Sequence, residues 1–269
     1  MSELNQACCA QSERATPKKI LVVGPSWVGD MVMAQTLFML LKQANPGCEI
    51  DVLAPDWTRA LLERMPEVRD AIALPVGHGE LKLMTRWAIG RRLKKAGYDE
   101  AFILPNSFKS ALVPFFAKIK RRVAYGREGR SILLSDARKL NKVRHPLMIE
   151  RFMALSVDAD AKLVEPYPNP HLSVNASDLE EALRSQGLSR DKPILVLCPA
   201  AEFGPAKRWP AAYFAELAKA KVAQGYQVWL FGSVKDQAIT ASIQAASDNQ
   251  CIDLAGKTSL DQAIDLMSL

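Results

Sequence analysis

Histidine is scarce and unpatterned in this chain: three in 269 residues, at His78, His145 and His171. So scattered a set supports neither a Ser-His-Asp triad nor a zinc site. The cysteines number five, an odd count without paired metal-ligand spacing. That argues against a disulfide framework and fits a reducing compartment. No apolar run approaches the ~20 residues needed to span a bilayer. Residues 1–18 are polar, include Cys8 and Cys9, and lack the apolar core of a signal peptide. A flexible tail is expected there, and a cytoplasmic location for the chain. Short-period repeats are absent as well.

What remains is an ordinary globular composition, 49% hydrophobic and 24% charged, long enough for one large or two modest domains. The net charge of +6 is local in origin. Between Lys109 and Arg144 lie Lys118, Lys120, Arg121, Arg122, Arg127, Arg130, Arg138, Lys139 and Lys142. The plain reading is a solvated face. The density of the run also fits a polyanionic partner: nucleic acid, anionic lipid or a phosphorylated glycan. Tyr125 is the sole aromatic in its middle, so stacking on single-stranded nucleic acid is the weakest of the three.

The stretch that organises the chain is 19–35, KILVVGPSWVGDMVMAQ. An apolar run at 20–23 stops at Gly24-Pro25, and a helical pattern starts near Asp30, with Met33, Leu37, Leu40 and Leu41 spaced for one face. This predicts a buried strand, a tight loop and a helix whose N-terminus faces whatever the loop holds. Gly24 and Gly29 have P-loop spacing, but Asp30-Met31 replaces Lys-Ser/Thr. Ser26 replaces the middle glycine of the dinucleotide pattern. The loop therefore presents a carboxylate where a phosphate binder would present a cation. At a helix N-terminus that carboxylate is favoured as the anion, which suits it to accept a proton. The alternative is that Asp30 only caps the helix.

Downstream, strands are expected at 49–53, 71–74, 101–104 and 122–125. Helices are expected at 57–65 and 81–95, with a short or kinked segment at 108–119 around Pro114. Such alternation indicates right-handed βαβ units with a parallel sheet covered on both faces. After a helix at 145–157, three prolines in residues 164–171 mark an extended linker. A second alternation follows: strand 194–197, helix 211–224, strand 227–231, helix 237–246, strand 251–254 and helix 260–267. The fold expected is α/β, two Rossmann-like domains at 19–158 and 176–269 joined by a Pro-rich linker at 159–175. Ligands are expected between them at the carboxyl ends of the strands.

In the second domain, the strand at 194–197 runs into CPAAEFGPAKRWP. Gly204 allows close backbone approach, and Lys207 or Arg208 can neutralise a diphosphate. The competing reading is a surface loop whose Trp209 packs on the sheet. Gly232-Ser233 with Lys235-Asp236 forms another glycine turn at the same edge. His78, between Gly77 and Gly79, either touches a substrate or sits in a plain turn. Asp158 and Asp160 resemble paired metal-binding carboxylates, yet they follow a helical pattern rather than an apolar strand. Cys198 reads as a buried small hydrophobe rather than a nucleophile.

The runs GPSWVGDMVMAQ, MPEV, PVGHGEL, LPNSFKSALVPFFA, PAAEFGPAKRWP and LFGSVKD, in that order, resemble the ADP-heptose-dependent heptosyltransferases of glycosyltransferase family 9. The resemblance covers about residues 19–269. It implies a GT-B fold and metal-independent, inverting transfer of L-glycero-D-manno-heptose from ADP-heptose to the first heptose of the lipopolysaccharide inner core. Asp30 then resembles the general base and Lys207 the ligand of the donor diphosphate. Gly204, Arg208, Gly232, Ser233, Lys235 and Gly256 fall on the donor side. Ser26, Trp27, His78, Asn106, Ser107 and Lys109 fall on the acceptor side. No cofactor or metal is implied. The partners implied are the donor, a heptosyl-Kdo-lipid A acceptor and the cytoplasmic face of the inner membrane, and no nucleic acid.

The family continues past the helix at 260–267 with a further strand and a D-S-G-L-M-H-like loop, whereas this chain stops at Leu269. An incomplete second domain with three strands, protease-sensitive and lacking part of the donor pocket, is therefore the expectation. Its alternative function is that of a non-catalytic ADP-sugar or polyanion binder.

Overall fold

The computed structural model describes residues 17–77, 79–201 and 204–269. The expectations for residues 1–16, including Cys8 and Cys9, and for His78 lie outside the described residues. The chain forms two compact units, the first ending at His171 and the second beginning at Leu172. Among the described residues no helix is long and apolar enough to cross a membrane.

The first unit is built on a sheet of six strands. They are β1 (Lys19–Val23), β2 (Glu49–Ala54), β3 (Val68–Ala73), β4 (Glu100–Ile103), β5 (Arg121–Tyr125) and β6 (Asp136–Arg138). The order is β3-β2-β1-β4-β5-β6, every pairing parallel. β1 is central because its aliphatic residues, Ile20 to Val23, are buried on both faces. The helices are α1 (Val28–Ala44), α2 (Arg59–Leu62), α3 (Leu83–Lys94), α4 (Leu112–Phe116) and α5 (Met148–Met153). Pro114 leaves α4 a five-residue helix entered through a 3-10 turn.

Three expectations are corrected here. The sheet has a sixth strand, β6, whose sequence Asp-Ala-Arg looks like surface loop. Its charges are used internally: Arg138 is buried, donates to Asp136 at 3.2 and 3.0 Å, and donates to Ala154 O at 2.6 Å. The helix expected at 145–157 shortens to α5, because the preceding chain is held by side-chain and backbone bonds around Asn141 and His145. The buried face of α1 includes Met31, Ala34, Gln35, Leu37, Phe38 and Leu41, so Leu37 and Leu41 are buried as expected, while Met33 and Leu40 are only half-buried. A helix buried over so broad an arc does not show a sharp hydrophobic period.

The second unit contains a parallel sheet of β7 (Ile194–Leu197), β8 (Gln227–Leu230) and β9 (Ile252–Asp253). Helices α7 (Ala211–Ala223) and α8 (Gln237–Ala246) cover one face, where Leu197, Ala215, Ala218, Val228, Leu230 and Ile243 cluster. The other face is covered by α9 (Leu260–Met267) and by α6 (Ala176–Gln186), a helix that sequence reading passed over. Asn175 caps α6, its side chain accepting from the amides of Ser177 and Asp178, and Leu179, Ala182 and Leu183 pack beneath Trp229. Both faces of this sheet are thus covered by helices.

Candidate active site

The loops that follow β1 and β4 leave the sheet where the strand order reverses, the position at which open parallel sheets bind ligands. A cavity of about 560 Å³ lies there. After Val23 the chain must turn over the sheet at once. Gly24 starts that turn with no side chain, where a Cβ would crowd the end of the buried Met31 side chain at 2.6 Å and Val52 at 3.1 Å. The loop enters α1 with Trp27 as N-cap and no side-chain cap bond, and Asp30 occupies the first turn. Asp30 is thus at the third helical position rather than at the N-cap itself. Its carboxylate is half-buried in the cavity wall, at the positive end of a 17-residue helix.

The same cavity is lined by Ser26, Trp27, Asn106, Ser107 and Lys109. With Asp30, all the residues assigned to the acceptor side from sequence, apart from the undescribed His78, stand around one space. Trp57 from the loop after β2 adds an indole whose N–H donates to Ser26 O at 3.1 Å. Lys109, Arg127 and Lys142 bring cationic side chains to the wall, with no ion-pair partner among the described residues. Tyr125 is the aromatic noticed in the basic run. Its hydroxyl donates to Arg151 O at 2.7 Å, and burial pushes its pKa up, so it stays a neutral wall.

The basic run divides between this wall and the scaffold. Arg130 is fully buried and donates to Tyr125 O at 2.9 Å, Ser107 O at 3.3 Å and Ser110 Oγ at 2.8 Å, and also to Pro105 O. Burial pulls its pKa down to about 10, still protonated near neutrality. Arg122 donates to Leu133 O at 2.7 Å and to Ile119 O. For Arg122, Arg130 and Arg138, the reading as part of a solvated face is corrected: their guanidinium groups donate to backbone carbonyls of the scaffold.

In the second unit, the loops after β7, β8 and β9 leave one edge of the sheet. Gly204 (φ +81°) precedes a 3-10 turn that ends at Lys207, and both are exposed. Arg208 is exposed and donates to Ala201 O at 3.2 Å. Gly256 donates its amide to Gly232 O at 2.9 Å, which joins the loops after β8 and β9. The Ser233 amide and hydroxyl both donate to Asp236 Oδ2, at 2.8 and 2.7 Å, leaving Lys235 exposed on the same turn. Two expectations are corrected. Trp209 does not pack on the sheet but stacks near Tyr213 and Phe214 of α7, with centroids 5.5 and 4.9 Å away. Cys198 is exposed rather than buried, though local desolvation raises its thiol pKa and so disfavours the nucleophilic thiolate.

Residues 86–269 match the model of glycosyltransferase family 9 (heptosyltransferase). The lipopolysaccharide heptosyltransferase 2 of Salmonella typhimurium is 48% identical over 259 residues, 93% of this chain and 74% of its own length. The Escherichia coli K12 protein of the same name gives the same identity and coverage. The chain belongs to glycosyltransferase family 9. The solved structure of E. coli ADP-heptose LPS heptosyltransferase II has a TM-score of 0.85 at 46% identity, covering 93% of this chain and 76% of that one. A family 9 structure from Veillonella parvula, at 17% identity, shares the fold with a TM-score of 0.80, covering 93% of this chain and 72% of that one. The fold class is GT-B, the class of these family 9 glycosyltransferases.

Sequence reading missed Trp57, Arg86, Arg127, Lys142 and Arg151 in the cavity wall. Arg127 and Lys142 were visible only as members of a charge run. Arg86 was hidden inside a helical pattern: it is buried and donates to Leu81 O at 2.6 Å and Glu80 O at 3.3 Å.

Proposed function

We propose that the chain transfers L-glycero-D-manno-heptose from ADP-heptose to the first heptose of the lipopolysaccharide inner core, with inversion. The observation that carries this reading is the placement of Asp30, at the first turn of α1, in one cavity with Asn106, Ser107 and Lys109. It does so in a chain 48% identical to lipopolysaccharide heptosyltransferase 2.

The chemistry needs few parts. The Asp30 carboxylate takes the proton of the acceptor hydroxyl as that oxygen bonds to the anomeric carbon of the donor heptose. The bond from that carbon to the diphosphate oxygen breaks on the opposite face, and ADP leaves with the electron pair. A departing diphosphate is already a stable anion and needs positive charge rather than a proton, which Lys207 and Arg208 supply. On this reading no metal is required. Lys109, Arg127 and Lys142 suit the carboxylates and phosphates of a heptosyl-Kdo-lipid A acceptor. The chain works in the cytoplasm and touches the inner membrane peripherally.

The test is incubation with ADP-heptose and a deacylated heptosyl-Kdo acceptor, following ADP release and product mass, with and without EDTA. Expected is an acceptor heavier by one heptosyl unit, at a rate unchanged by EDTA. Donor binding without product would leave only a nucleotide-sugar binder, and loss of transfer in EDTA would overturn the metal-free step.

A further inference from the structure

Helix α3 has two unlike faces. Ile89, Gly90 and Leu93 pack inward, and Gly90 sits so close to α4 that a Cβ would come within 2.5 Å of Phe116 Cβ and 3.0 Å of Val113 O. The outward face begins with large apolar residues left to solvent: Leu81 is 52% exposed, Leu83 47%, Met84 71% and Trp87 43%. Residues 83, 84 and 87 share one side of the first turn. Scattered apolar residues are normal on a surface, but a cluster containing tryptophan at one helix end marks an interaction site.

The charge around it selects the partner. Residues 81–95 carry six cations and no carboxylate. Beyond the apolar turn, Arg91, Arg92, Lys94 and Lys95 are all exposed. Arg91 lies over the Trp87 ring at 5.5 Å, and neighbouring α4 adds the exposed ring of Phe115. An aromatic body with a cation on its face suits the level of lipid headgroups, where the ring meets acyl chains and the guanidinium meets phosphate. A second copy of the chain would set these like charges against one another. An anionic bilayer complements them. The helix is also continuous with the candidate active site, because Arg86, on the opposite side from Met84, lines the acceptor cavity.

We propose that the outward face of α3, Leu81, Leu83, Met84 and Trp87 with the cations that follow, is the surface by which the chain seats on an anionic phospholipid bilayer. This rests on the membrane contact proposed above and names where it occurs. A lipid-linked acceptor resting in the same bilayer would then reach the cavity past the residue that α3 contributes to its wall.

The test uses the full chain and vesicles of phosphatidylcholine mixed with phosphatidylglycerol, against vesicles of phosphatidylcholine alone. The variant is Met84→Asp with Trp87→Ser, both at exposed positions. Cosedimentation should show the unchanged chain on the mixed vesicles and not on the neutral ones, with binding by the variant reduced about tenfold or more. Transfer to a deacylated, water-soluble acceptor should be unaltered in the variant, which also shows that it folds. Equal vesicle binding by the two proteins would overturn the assignment. So would a dimer of the unchanged chain that the variant abolishes, seen by ultracentrifugation. If neither protein transferred heptose, but the two gave the same circular dichroism and melting curve and only the unchanged chain bound anionic vesicles, the surface would stand and the enzymatic reading would fall.

Discussion

Lys207 and Arg130 are both basic residues near a proposed substrate, but they act through different physics. Lys207 is exposed at the end of a 3-10 turn. If it meets the donor diphosphate, Lys207→Ala should weaken ADP and ADP-heptose by about 1.5–3 kcal/mol, the usual worth of a hydrogen bond to a charged group, and leave adenosine unchanged. Calorimetry with the three ligands decides it; equal weakening of all three would mean a disturbed fold. Arg130 touches no cavity space and instead ties Pro105, Ser107 and Ser110 to the loop after β5. Replacing it by methionine takes the guanidinium from Tyr125 O, at about 1–3 kcal/mol for a carbonyl left unsatisfied, while Pro105 O and Ser107 O keep the Ser110 hydroxyl. Arg130→Lys keeps the charge but not the fork, so the expected outcome is a raised KM for acceptor with the donor KM unchanged. A matching rise in both would remove Arg130 from the positioning of 105–110. Asp30 was readable in sequence because a carboxylate stood where a P-loop puts lysine. Arg130 was not, since nothing in a basic run shows which of its members turns inward.

At the scale of elements, the edge of the first sheet is held by charge. Burial works against the Glu100 carboxylate, but Lys18 and Arg121, each at 2.8 Å, outweigh it and hold its pKa below the usual value. The Arg138 guanidinium, with Arg121 in support, does the same for Asp136 against partial burial. Groups with lowered folded-state pKa values contribute stability that is complete above the ordinary carboxylate range and lost as pH falls through the lowered values. The β4–β5–β6 edge should therefore loosen below about pH 4, which hydrogen exchange of residues 100–138 over a pH series would show. Arg121→Gln should move that loosening to higher pH; an unchanged profile would mean that these pairs contribute nothing there. The long strands and helices of both units were legible because their apolar residues recur at strand or helix spacing. β6 and α6 were not. One is three residues long with two charges, and the other follows a proline-rich stretch that suggested extended chain.

For the whole molecule, the division after His171 has a local cause that periodicity does not reveal. Buried Gln35 of α1 donates to His171 O at 2.6 Å and accepts from the His171 amide at 2.9 Å. Four residues on, the Asn175 amide donates to Asp265 Oδ1 at 3.0 Å, within the second unit. Each unit thus holds its own end of the connection, and each carries its own part of the proposed reaction: the base with the acceptor residues in the first, the diphosphate cations in the second. The two functions should be separable by mutation. The most direct measurement is single-turnover heptosyl transfer by Asp30→Asn, with ADP-heptose affinity measured by calorimetry on the same preparation. If Asp30 is the base, turnover should fall by roughly 10²–10⁴-fold while donor affinity stays within experimental error. Near-normal turnover in Asp30→Asn would contradict the assignment of the base, and with it the reading of the cavity as the place where the bond is made.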